Sequence, residues 1–122
     1  MTKIKSVEDL DVYQRSYRLA LEIHKETLRF PEFERYELGA QMRRCAKSVS
    51  TNIAEGFSSR SSSKQYMRYL NIARESCDEM FVHLHFACDL ECVGQDRYVY
   101  FKEEYTIVAK QLTNLIKAWL KF

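Results

Sequence analysis

In SSKQYMRYLNIARESCDEMFVHLHFA, residues 62–87, the side chains of Tyr66, Leu70, Ala73, Cys77, Met80, Leu84 and Ala87 recur at alternating intervals of four and three. That spacing puts all of them on one side of an α-helix. Ser62 and Gln65 stand three apart at its start, the spacing of a capping box, so the helix begins in the serine run.

Upstream, Leu38, Met42, Cys45, Val49 and Ile53 repeat the pattern and predict a helix over about residues 37–56. Gly56 suits the left-handed position that closes a helix. Further upstream, Leu10, Tyr13, Tyr17, Ala20 and His24, widened by Leu21 and Leu28, give a core-facing stripe and a first helix over about 7–29. Ser6 with Asp9 is its expected cap, and Pro31 turns the chain after Phe30. Downstream of a break at Val93, Gly94 and Gln95, Asp96 is placed to cap a last helix carrying Phe101, Tyr105, Val108, Leu112, Leu115, Trp119 and Phe122. Four long amphipathic helices with short connections predict an all-α fold, an antiparallel up-down-up-down four-helix bundle forming a single domain over residues 1–122. The last seam reaches the final residue. Trp119 and Phe122 therefore either close the bottom layer of the bundle or meet another subunit in an oligomer.

Composition agrees: 46% hydrophobic and 30% charged residues make a globular balance, and 3 Gly with 1 Pro leave few of the turns a sheet protein needs. Without an apolar run of 18 residues, and with acid in MTKIKSVEDLD where a signal peptide is apolar, the expectation is a cytoplasmic protein that does not enter a membrane. Cys45, Cys77, Cys88 and Cys92 form no CxxC pair, and they are expected as buried thiols.

Charge is uneven. Residues 41–74 hold Arg43, Arg44, Lys47, Arg60, Lys64, Arg68 and Arg74 against the single acid Glu55, a net +6, so the other 88 residues carry a net −4. Arg43 and Lys47 are four apart, as are Lys64 and Arg68, and each pair shares a helix face. If the second and third helices pack side by side, these cations and Arg60 could line one end of the bundle and meet phosphate or an acidic partner, helped by the serines at 58–63. The plain alternative is a solvated basic face. No sequence-reading motif for nucleic acid is present, so binding of RNA or DNA would be electrostatic and salt-sensitive.

Other chemistries have weaker support. Arg18 followed by His24 has the spacing used by ribonucleases of the HEPN type, but His24 falls on the core stripe and reads as a packed histidine. His85, Cys88 and Cys92 share a helical face and could offer three metal ligands, yet no fourth is evident and no metal or other cofactor is expected. Glu75, Asp78 and Glu79 read as a solvated edge or as partners for arginines of a neighbouring subunit.

FP at 30–31 followed by ERYELGAQMRRCAKSVSTNIAEG at 34–56 resembles a four-helix bundle family found as open reading frames within intervening sequences of bacterial 23S rRNA genes. DLDVYQRSYRLALEIHKET at 9–27 and SSSKQYMRYLNIARESCDEM at 61–80 look like that family's first and third helices. The resemblance implies a bacterial, non-enzymatic protein that assembles as a homo-oligomer, typically a pentamer. It also implies kinship with the accessory variability determinant of diversity-generating retroelements, a basic pentamer that binds a reverse transcriptase and nucleic acid. The family's hallmark run falls on Ser48, Asn52, Ile53, Ala54, Glu55 and Gly56. Ile53 lies on the apolar stripe, Ala54 allows close helix approach, and Asn52 could bond a neighbouring helix or loop amide to fix register. Two functions follow: a ring whose basic face binds RNA, DNA or an acidic protein, or an assembly scaffold whose cations pair with Glu75, Asp78 or Glu79 of the next subunit.

Overall fold

The structure, a computed structural model, describes residues 4–120; Phe122, with the oligomer contact expected of it, lies outside the described residues. The elements are a single 3-10 turn at Val7–Asp9 and helices α1 (Asp11–Thr27), α2 (Glu32–Tyr36), α3 (Leu38–Ser58), α4 (Ser63–Asp89) and α5 (Gln95–Trp119). Among the described residues there is no strand.

The four long helices form the expected antiparallel bundle. α3 packs most heavily on α4, α4 on α5 and α1 on α3, and α5 closes the circuit more lightly against α1. Ser48 meets Ser76 across α3 and α4, and Arg15 and Arg97 pair with Glu104 and Glu26 across α1 and α5, so both neighbours run antiparallel. Met42, Val49, Ile53, Leu70, Met80, Leu84, Phe101, Tyr105 and Leu112 are fully buried in one continuous core. Burying such a side chain contributes on the order of 1.5–3 kcal/mol, and the apolar spacing of α3, α4 and α5 delivers that burial as read from sequence, except that near the end of α5 Ile116 is buried and the expected Leu115 and Trp119 are only half-buried.

Local signals held in some places and failed in others. The Ser62 hydroxyl accepts the Gln65 N–H at 3.3 Å, capping α4. The Asp9 carboxylate accepts the N–H groups of Lys5 and Ser6, which pulls its pKa below the usual value, but the turn it closes is separate from α1, which starts only at Asp11. α5 is capped by Gly94 and starts at Gln95, so Asp96 lies inside its first turn. Pro31 does break the chain, and it also opens the five-residue α2, too short for any periodicity to announce. α4 stops where Glu91 adopts a left-handed φ of 62° and the Cys92 N–H turns back to the Ala87 carbonyl.

Two expectations are corrected. Gly56 does not end α3, which continues to Ser58; a Cβ there would sit 3.0 Å from Tyr69 Cβ and 3.2 Å from Tyr66 Cδ1. Its missing side chain lets α3 and α4 touch. In α1 the buried residues are Val12, Ser16, Leu19, Ile23 and Thr27, one step round the helix from the expected stripe. Tyr17, Leu21 and Leu28 are about half exposed, and His24 is exposed rather than packed.

Candidate interaction surface

The displaced stripe of α1 does not face empty solvent alone. Tyr13, Tyr17, Ala20, Leu21 and His24 form one wall of a groove of about 450 Å³, and Lys47, Ser50, Thr51 and Ala54 of α3 form the other. The small side chains of Ser50, Thr51 and Ala54 on α3 leave that space unfilled. Ala54 lines the α1 side, and the close approach to α4 falls to Gly56. Tyr13 and Tyr17 stack with centroids 5.9 Å apart, giving the wall a flat aromatic surface.

A second apolar strip stands on α4, where Val82, Phe86 and Leu90 are each half exposed at spacings of four. Both strips flank α3. On α4 it is preceded by the exposed Glu75 and Glu79, four apart, the second of which bonds His83.

The expected basic end is not assembled. Arg43 donates to the Thr27 hydroxyl at 2.9 Å and to the Arg35 carbonyl at 3.0 Å, tying α3 to α1 and α2. Arg60 bonds the Phe57 carbonyl at 2.7 Å and lies 3.8 Å over the Phe57 ring, which anchors the α3–α4 turn. Arg44, Lys47, Lys64 and Arg68 are exposed and form no ion pair among the described residues. They occupy two levels. Arg43 and Arg60 are 17 residues apart, about 25 Å of helix rise, and the Ser48–Ser76 contact sets Arg44 at the height of Glu79. The +6 window of the sequence is therefore divided between opposite ends and interleaved with acids from the later half of α4. Arg74 belongs elsewhere, in a groove between α4 and α5 with Asp78, Lys110 and Lys117.

The run from Ser48 to Gly56 is mostly internal. Asn52 donates to the Ser48 carbonyl at 2.8 Å and to its hydroxyl at 3.1 Å, so it bonds its own helix and not a neighbour. Ser48 in turn meets Ser76 of α4 at 3.0 Å. The register is fixed through Ser48, with Asn52 behind it. Ile53 is fully buried, while Glu55 is exposed.

Residues 8–114 match the sequence model of the family described as 23S rRNA-intervening sequence protein. The chain belongs to this family. A crystal structure of a protein of unknown function from the S23 ribosomal protein family, from Bacteroides thetaiotaomicron, superposes with a TM-score of 0.80 at 23% identity. The match covers 87% of this chain and 95% of that one, and it shows that the fold is shared. No curated protein matches the chain in sequence.

In this intervening-sequence protein, residues considered for other chemistry are placed as follows. Arg18 is paired with Glu22 and Glu104, while His24 stands in the α1–α3 groove, so the two are committed to different seams. His85 pairs with Asp89, Cys88 Sγ approaches Gln95 and Cys92 Sγ approaches the Leu90 carbonyl, so these three do not converge. Trp119 packs edge-on against Tyr66 with centroids 4.5 Å apart, half-buried against its own bundle. Cys45 and Cys77 are buried, as expected, and burial pushes the Cys77 thiol pKa up to about 12. Cys88 and Cys92 are only half-buried. No helix of the described residues is long and apolar enough to cross a membrane. Sequence reading missed the exposed strip of α4, because Val82, Phe86 and Leu90 lie beside a cleaner buried stripe; their own spacing of four was the available signal.

Proposed function

We propose that this protein is a non-catalytic, homo-oligomeric assembly module, in which the α1–α3 groove of one copy receives the exposed α4 strip of the next. The observation that carries the reading is the pair of apolar strips, Tyr17 with Leu21 on one side of α3 and Val82 with Phe86 on the other, each side chain 51–55% exposed. Exposed apolar rows of that kind mark contact surfaces. Two different patches that fit each other make a head-to-tail interface, and head-to-tail contacts close into rings when the rotation allows. The pentamer expected from family resemblance would be such a ring. Charge supports the same pairing. Lys47 lines the groove and exposed Glu75 lies at the start of the α4 strip, so a cation of one copy would face an acid of its neighbour.

The test uses two variants that each break one side, Leu21→Glu and Phe86→Glu. Each alone is expected to sediment as a monomer, and an equimolar mixture as a heterodimer, because one intact groove and one intact strip remain between them. Failure of the mixture to associate while the wild type is oligomeric would exclude a head-to-tail contact of these faces.

A second reading, binding to RNA or DNA phosphate, is favoured only by the α3–α4 turn, where exposed Lys64 and Arg68 follow the serines at the start of α4. Anisotropy of a labelled structured RNA, titrated at low and physiological salt, tests it: binding that falls steeply with salt and is lost on Lys64→Glu with Arg68→Glu supports this reading, and no binding at low salt removes it.

A further inference from the structure

We propose that Cys45 of α3 with Glu79 and His83 of α4 forms a binding site for a zinc-class divalent transition-metal ion. The Cys45 thiol, a Glu79 carboxylate oxygen and a His83 ring nitrogen all lie within 4.8 Å of one another, and His83 Nε2 is 2.9 Å from Glu79 Oε2. Among the described residues this is the one group of three or more His, Cys, Asp or Glu side chains so gathered. The site does not depend on assembly.

Its construction favours a metal over a plain ion pair. Glu79 and His83 are four apart and so project from one side of α4, the spacing by which a helix offers two ligands to one ion. Cys45 reaches the same point from α3 because the Ser48–Ser76 contact fixes the register; its thiol now donates to the Ser76 carbonyl at 3.1 Å, a bond that coordination would replace. Cys45 and His83 are buried, whereas the Glu79 side chain is 60% exposed. Two ligands are therefore held by packing, while the third, already bonded to His83, borders solvent and leaves the ion's remaining position open to water. Zinc bonds of about 2.0–2.3 Å set one sulfur, one nitrogen and one oxygen ligand roughly 3.3–3.6 Å apart, so the Cys45 thiol has to draw in by up to about 1.3 Å and the Glu79–His83 pair, now at 2.9 Å, has to open by about 0.4 Å. A thiolate, an imidazole and one carboxylate suit Zn²⁺ or Co²⁺, whereas Mg²⁺ and Ca²⁺ take oxygen ligands. Coordination replaces the S–H bond of Cys45 by a metal–sulfur bond and releases one proton to solvent.

Cobalt(II) titration of the reduced full-length protein, followed by visible and near-ultraviolet absorption, tests the site. One equivalent is expected to produce a thiolate-to-cobalt charge-transfer band with tetrahedral ligand-field bands, and Zn²⁺ is expected to displace it. Cys45→Ala should abolish the charge-transfer band, and His83→Gln should keep it but weaken affinity by about 100-fold, since even a supporting partner of a ligand is worth 10–100-fold. Glu79→Gln, at an exposed position, leaves folding undisturbed and should also weaken binding; circular dichroism checks helicity in all three. No thiolate band at one equivalent would overturn the proposal. A band that survives Cys45→Ala would also overturn it, because Cys88 or Cys92 would then be the ligand.

Discussion

The two long seams of α3 differ in how they are finished. Towards α4 it is closed: Gly56 admits Tyr66 and Tyr69, Ser48 meets Ser76, and Ile53 is fully buried. Towards α1 it is left open along one edge, with a groove of about 450 Å³ walled by tyrosines and by the small side chains Ser50, Thr51 and Ala54. One seam stabilises the subunit. The other keeps apolar surface available, and an isolated subunit gains nothing from that exposure; this is the surface that the proposed assembly would cover.

The largest effect is expected on the closed side. Ile53→Ala should cost about 2–5 kcal/mol, because the cavity is surrounded by packed helices and cannot collapse; urea unfolding would measure it. A similar truncation in the open groove, Leu21→Ala, should change subunit stability by less than about 0.5 kcal/mol while weakening association. Equal losses at both positions would erase the distinction.

Gly56→Ala sharpens the comparison at a single methyl. Alanine gains about 1 kcal/mol of helix propensity, but inserting a group 3.0 Å from Tyr69 Cβ costs roughly 1–3 kcal/mol in overpacking. Net destabilisation is expected, with thermal unfolding as the readout. The same change at an ordinary exposed helix glycine would stabilise.

A smaller effect is expected at Tyr105, whose hydroxyl is buried with no hydrogen-bond partner among the described residues. Tyr105→Phe should leave stability unchanged or raise it by about 1 kcal/mol, since it removes an unsatisfied group without removing the ring. The smallest effect belongs to Asp9. Its folded pKa is lowered by the N–H groups of Lys5 and Ser6, so its contribution is present above the unfolded pKa and is lost as pH falls through the folded one. Acid titration of stability below pH of about 4 should lose this component in Asp9→Asn.

Legibility in the sequence followed the number of apolar faces on each helix. α4 and α5 carry one dominant buried stripe, and its residues fall where the intervals of three and four place them as far as Leu112; beyond it Ile116 is buried while Leu115 and Trp119 are half-buried. α1 carries two. Its tyrosines and leucines made the outward stripe the stronger signal, while the true core stripe includes Ser16 and Thr27, whose hydroxyls bond backbone carbonyls at Tyr13 and Ile23 and so enter the core satisfied. Gly56 misled because a helix end and a close helix crossing both need the absence of a Cβ. The charge window misled because linear proximity is not height along a bundle: Arg43 became a strut between helices, and residues more than thirty positions away on α4 came level with Arg44. The gathering of Cys45 with Glu79 and His83 was invisible for the same reason, since it exists only once the α3–α4 register is set.

The central claim is that the open seam is covered by another copy of the same chain. Light-scattering mass measured across a wide range of protein concentration tests it most directly. The account predicts one closed species of fixed, integral subunit number whose mass stays constant as concentration rises. A monomer at all concentrations would contradict it, and so would mass that keeps climbing, which would mean contacts that propagate without closing.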